Sequence, residues 1–254
     1  MNVAVAALAA GLLVAPAPAQ RSERTLERAG SALAGAVITL DPGHNGANGA
    51  HPGEINQQVP IGNGETKECD TTGTQTASGY TESAYTLSVA RRLRRLLESA
   101  GAKVVMTRED DDGVGPCIDE RARIGNRAGS DAALSIHADG GPSSGRGFHV
   151  IRPAKTRGLT DDIYGRSRKL AARIRGAYER GTSIPPATYT GDNGIDERSD
   201  LGGLRLSNVP KVFIETANMN NARDAEKLES GKYRQRIAAA LFDGLKKFVK
   251  RNGR

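Results

Sequence analysis

Five short apolar, β-branched runs, at 36–40, 103–107, 132–136, 148–151 and 211–214, punctuate this chain of 254 residues. Each is short enough for a strand and apolar enough to be covered on both sides, and helical periodicity fills much of the chain between them. Leu87, Ala90, Leu93, Leu97 and Ala100 fall three or four residues apart, with Arg91, Arg92, Arg94 and Arg95 on the other side. That basic side reads as a solvated helix face, and Gly101 as the helix stop. Further helices are expected over 118–128, 163–178 and 222–249, the last broken near Gly231. Alternation of this kind predicts an α/β fold: a single domain with a largely parallel, mixed, twisted sheet of about six strands flanked by helices.

The domain is expected over 35–254. The twenty residues at the start carry no charge and end in a small-x-small pattern at Ala17-Pro18-Ala19. This apolar run is interrupted by Pro16 and Pro18 and is too short for a bilayer span, so 1–19 reads as a secretory signal without a basic n-region. Residues 20–34 read as a linker. Export to the periplasm, cell envelope or medium is therefore expected, with no transmembrane anchor and a monomer as the default. Of the two cysteines, Cys69 and Cys117, an oxidising compartment could make one bridge. Two separate thiols are the other possibility. A bridge would close a loop of about 49 residues and stabilise the fold by about 4 kcal/mol in the chain-entropy view.

Charge and composition narrow the partners. The formal net charge of +7 favours acidic surroundings, but 4% aromatic content and the absence of Trp leave no stacking platform for single-stranded nucleic acid. No nucleic-acid partner is expected. Two stretches break the strand–helix rhythm, at 45–79 and 181–207. The first is too long for an ordinary connection, which marks it as a functional lid or a disordered segment.

Four histidines occur, and two of them, His44 and His137, follow the ends of expected strands, where side chains of neighbouring strands can converge. Glu82, at the start of the helix in GYTESAYTLSVARRL, could supply a third ligand to a metal that keeps a further position for water. Singly, each has a plainer reading: a hydrogen-bonded strand-end imidazole, or a carboxylate favouring a helix dipole. His51 in the long loop and His149 inside a strand are given no metal role, a substrate contact staying open for both. Spacing alone does not choose among them.

The segments LDPGH, GYTES, SIHAD and VFIETANMNN stand in the order found in zinc-dependent N-acetylmuramoyl-L-alanine amidases, and the chain resembles that family, Amidase_3, over residues 35–250. It is most similar to its short secreted mycobacterial-type members, which lack a separate wall-binding domain. The resemblance implies Zn2+ held by His44, Glu82 and His137, with Glu215 as catalytic carboxylate. It also implies peptidoglycan or muropeptide fragments as substrate, cut between the lactyl group of N-acetylmuramic acid and L-alanine. Asp139 stands where many relatives have Asn, the 45–79 loop is long for the family, and no extra helix of the kind that blocks regulated relatives is evident between His137 and Glu215. Two other readings stay open: a non-catalytic wall-binding or regulatory relative, and a zinc hydrolase acting on another cell-wall bond.

Overall fold

All five apolar runs become strands, and three more form outside them. The strands are β1 (Val37–Pro42), β2 (Gln58–Gly62), β3 (Glu65–Glu68), β4 (Lys103–Met106), β5 (Ala132–Asp139), β6 (His149–Pro153), β7 (Ile195–Arg198) and β8 (Lys211–Asn218). The helices are α1 (Pro52–Ile55), α2 (Glu82–Ser99), α3 (Ile118–Arg127), α4 (Tyr164–Gly181), α5 (Gly202–Arg205), α6 (Ala222–Glu229) and α7 (Gly231–Arg251). The computed structural model describes Met1 and residues 32–251, so the expected signal segment after Met1 and most of the expected linker lie outside the described residues. Residues 32–34, expected as the end of that linker, belong to the folded body. Leu33 is buried and its N–H donates to Ala100 O at 2.8 Å.

The sheet is six-stranded, in the order β4-β1-β5-β8-β6-β7. Its four strands from β4 to β8 are parallel, while β6 runs antiparallel to β8 and β7 parallel to β6. The chain leaves β1 for β4 on one side and returns to β5 on the other, making a topological switch between β1 and β5. A crevice opens at the carboxyl ends of strands at such a point, which is where His44 and His137 emerge.

Register divides the strand residues between two faces of the sheet. Leu40, Leu134 and Val212 form one row, and Ile136, Ile214 and Val150 the next. These residues join the hydrophobic core under α2, α4 and α7, against Tyr85, Leu93, Ile174, Tyr178 and Leu241. The intervening rows face the other way. Asp41 pairs with Ser135 and Ser135 with Phe213; next comes His137 beside Glu215 and Glu215 beside His149. On this side α3 approaches closely, Gly125 lying against Thr39.

Helix α2 is cut where the sequence signals it: Thr81 caps the first turn by accepting the Ala84 N–H, which makes Glu82 the first helical residue. Glycine breaks α6 from α7 at 231, as expected. The 45–79 loop is not structureless. It folds into a 3-10 turn, α1 and the antiparallel β2–β3 hairpin, and Cys69 is bonded to Cys117 at the cap of α3. Strand β7 escaped the sequence reading because its four residues, Ile-Asp-Glu-Arg, form a part-exposed edge strand without an apolar run.

Candidate metal centre

The turn after β1 carries His44 in a left-handed conformation, φ +59°, which an L-residue adopts at a cost. Two buried arginines hold the turn in it. Arg121 donates to Pro42 O (2.8 Å) and His44 O (3.1 Å), and Arg108 to Gly43 O (3.1 Å). Gly43 is required for another reason: a Cβ there would stand 2.1 Å from the His137 ring. Gly73, at φ +71° in the long loop, packs against His44 and the Glu82 carboxylate in the same way.

These constraints bring His44, Glu82 and His137 together, with one potential ligand atom from each lying within 4.8 Å of the others. His44 Nε2 is 3.2 Å from Glu82 Oε2, and His137 Nδ1 is 3.0 Å from Glu82 Oε1. Three ligands sharing a tetrahedral ion at about 2.0–2.1 Å would stand about 3.3 Å apart, so two nitrogens and one carboxylate fit a zinc-sized ion. The outer ring nitrogens have acceptors. His44 Nδ1 faces Asp70 Oδ1 (3.2 Å) and Thr71 O (3.1 Å), while His137 Nε2 faces Ser135 Oγ (3.2 Å), which in turn donates to Asp41 Oδ2 (3.0 Å). Partners of this kind fix tautomer and ring orientation. Glu82 is held by the backbone N–H groups of Thr74 (3.0 Å) and Ala138 (3.1 Å).

Electrostatics favour a cation at this point. Burial opposes charge on His44, but the Glu82 and Asp70 carboxylates outweigh it and push the imidazole up to about 10 in the metal-free protein. Burial would likewise raise Glu82, yet His44 and His137 hold its carboxyl well below the usual range. Neutral imidazole is the metal-binding form, so a divalent ion would bind here in competition with protons.

Beneath the site, Asp41 is buried against Lys211 Nζ (2.9 Å) and Arg121 Nη1 (3.0 Å). Burial alone would raise its pKa, and these two cations instead hold it far below the ordinary carboxylate range. Phe213 stacks on the His137 ring at 5.2 Å between centroids. A cleft of about 370 Å³ runs past the trio and is lined also by Asp139, Arg198 and Glu215. A smaller, more apolar cavity of about 190 Å³ also borders the two imidazoles and is lined by Ile118, Leu201 and Phe213.

Glu215 follows Ile214 on β8 and stands beside His137 in the same row. A register shift just beyond, between His137 and Asp139, is the kind of irregularity that re-aims side chains next to a site. Burial, then the Glu82 and Asp139 carboxylates, push Glu215 well above the usual range. Asp139 is fixed by the Tyr189 hydroxyl, which donates to it at 3.0 Å. His51 lies away from this group, pairing with Glu54 on the surface. Sequence reasoning missed Asp70, Thr71, Ser135 and Arg198. Of these only Ser135, two residues before His137 on the same face of a strand, carried a usable periodic signal.

The family model for Amidase_3, described as N-acetylmuramoyl-L-alanine amidase, matches residues 38–247. The chain is 42% identical to the N-acetylmuramoyl-L-alanine amidase Rv3717 of Mycobacterium tuberculosis over 87% of its own length and 89% of that protein's. It is also similar to the crystal structure of the N-acetylmuramyl-L-alanine amidase Ami1 from Mycobacterium smegmatis, with a TM-score of 0.81 and 42% identity over 86% of this chain and 99% of that one. The apo form of Ami1 from Mycobacterium abscessus gives a TM-score of 0.80 and 42% identity over 85% and 99%.

Proposed function

Because the chain belongs to the Amidase_3 family of N-acetylmuramoyl-L-alanine amidases, we propose that it is a zinc-dependent hydrolase of the amide between the lactyl group of N-acetylmuramic acid and L-alanine, in peptidoglycan or its fragments. The observation that carries this reading is the convergence of His44, Glu82 and His137 in a cleft that Glu215 also lines. His44, Glu82 and His137 would hold the ion, and a three-residue ligand set leaves it able to take water or substrate. When bound, zinc polarises the scissile carbonyl, acidifies water at neutral pH and, as a nearby positive charge, favours the ionised form of Glu215.

An amide needs a nucleophile and a proton for its departing nitrogen. Glu215, close to the trio but not part of it, accepts the proton of the attacking water and returns it to the amine as the C–N bond breaks. His44 and His137 must be neutral to serve as ligands, and Asp70 and Ser135 hold their outer nitrogens. The Asp139 and Arg198 side chains supply an acceptor and a cation in the cleft wall for substrate.

Export is proposed with the function, since the disulfide suits an oxidising compartment and the polymer lies outside the cell membrane. Among the described residues no helix is long and apolar enough to cross a membrane.

The test is a mass-resolved digest of muramyl dipeptide and of longer muropeptides, with metal removed and then with zinc restored. Zinc-dependent appearance of free N-acetylmuramic acid and the intact peptide is expected. Products cut at another bond, or zinc binding without any product from either substrate, would overturn the reading.

A further inference from the structure

The row of side chains that holds His137 and Glu215 does not end at Glu215. Strand β6 lies antiparallel to β8 with His149 opposite Glu215, so the two side chains leave the same face as direct neighbours, with Cβ atoms about 4.5–5.5 Å apart in such pairs. His149 is 3% exposed, and its Nδ1 is buried with no hydrogen-bond partner. Glu215 Oε2 is in the same condition. Among the described residues only four side-chain atoms are orphaned in this way, and two of them sit on this one pair. Leaving a buried polar atom unpaired costs about 1–3 kcal/mol, and proteins satisfy nearly all such groups. Two orphans on adjacent side chains need only one shared contact to satisfy both.

We propose that His149 is a positioning residue for Glu215: its Nδ1, directly after a small side-chain rotation or through one water, anchors Oε2. The other carboxyl oxygen is then held towards the cleft, which Glu215 lines with the metal trio. The surroundings suit such a strut. The Tyr189 ring packs edge-on against His149 at 6.4 Å, and Tyr189 also fixes Asp139 across the same cleft. Val150, the next residue of β6, is fully buried in the core on the opposite face, so the strand has little freedom to move.

This inference rests on Glu215 being the proton-transferring carboxylate, and the experiment separates the two. Zinc-loaded, full-length protein carrying His149→Asn, His149→Gln or His149→Phe is compared with wild type for kcat, KM and metal content on a muropeptide substrate. Asn keeps a polar atom near the place of Nδ1, Gln moves it to the place of Nε2, and Phe removes it. His149→Asn should stay within about threefold of wild type, whereas His149→Gln and His149→Phe should lose about 10- to 100-fold in kcat, with KM and zinc content unchanged. If His149→Phe does not fold, the Asn–Gln contrast decides alone. Wild-type kcat in His149→Gln, equal loss in Asn and Gln, or a change confined to KM overturns the proposal. Glu215→Gln run in parallel isolates the premise. If it is inactive and His149→Phe adds nothing in the double variant, both ideas hold together; if it stays active, the assignment of Glu215 fails first.

Discussion

The two faces of the central sheet are built from the same strands and do opposite work. On one, Leu40, Leu134, Ile136, Val212 and Ile214 meet three helices in an apolar core. On the other, the alternate residues Asp41, Ser135, His137, Lys211 and Glu215 make a buried ionic and hydrogen-bonded layer that ends at the cluster of His44, Glu82 and His137. Apolar packing tolerates small changes of shape and returns stability in proportion to buried area. Buried charge is less forgiving, because each group is sound only while every partner is present. Apolar packing is thus concentrated on one side of a single layer of backbone, while on the other the chemistry sits on a buried charge network whose deeper members, Asp41, Lys211 and Arg121, also hold the fold.

That separation can be broken or sharpened in order of effect. Glu215→Gln should lower turnover by about 10²- to 10⁴-fold while zinc content and melting temperature stay as in wild type, read by product mass, metal analysis and calorimetry. A matching loss of stability would mean that Glu215, like Asp41 deeper in the same layer, also carries the fold. Asp41→Asn strands Lys211 without its buried counter-charge, leaves Arg121 with Asp70 alone, and should cost about 3–5 kcal/mol in denaturant unfolding. The same group sets an acid limit. Its folded pKa lies below the unfolded value of about 3.9, so its contribution is complete above that value and drains away as pH falls below it. Melting temperature followed from pH 6 downward should therefore drop in the wild type, and more shallowly in Asp41→Asn.

On the other face, Leu134→Ala should cost about 2–5 kcal/mol and leave kcat per folded molecule unchanged. The smallest effect is expected from Ser135→Ala, which removes the acceptor behind His137 Nε2. It should weaken zinc binding by about tenfold in a chelator competition, with little change in unfolding free energy. Unaltered zinc affinity would show that the ionic layer does not reach the metal.

This division also explains what could be read from the chain. The apolar runs announced the sheet because residues such as Ile38, Leu40, Leu134 and Val212 face a fully covered core. The same runs conceal the second face, because Thr39, Ser135 and Lys211 interrupt them while their partners are remote in sequence. Lys211 meets Asp41 across 170 positions and Arg121 meets it across 80. Convergence of His44 and His137 followed from their places at strand ends, but the choice of Glu82 over other acids came from motif order. Asp70 and Thr71 were hidden because the loop that bears them is positioned by a hairpin and a disulfide rather than by any periodic pattern. A disordered 45–79 loop, one of the two expectations from its length, was not found, since short turns and two strands satisfy its backbone locally.

His44 follows β1, Glu82 opens α2 and His137 lies on β5, separated along the chain by 38 and 55 residues. Closing loops of those lengths is entropically expensive and slow, and none of the three is close enough to another for a local fragment to gather a binding set. A metal ion held by these three would therefore not nucleate folding here as it does in a small zinc-stapled module, since its ligand set is complete only once β1, α2 and β5 have docked. Metal capture would then be a time-stamp for late folding, and metal release a sensitive reporter of the first partial opening of the sheet.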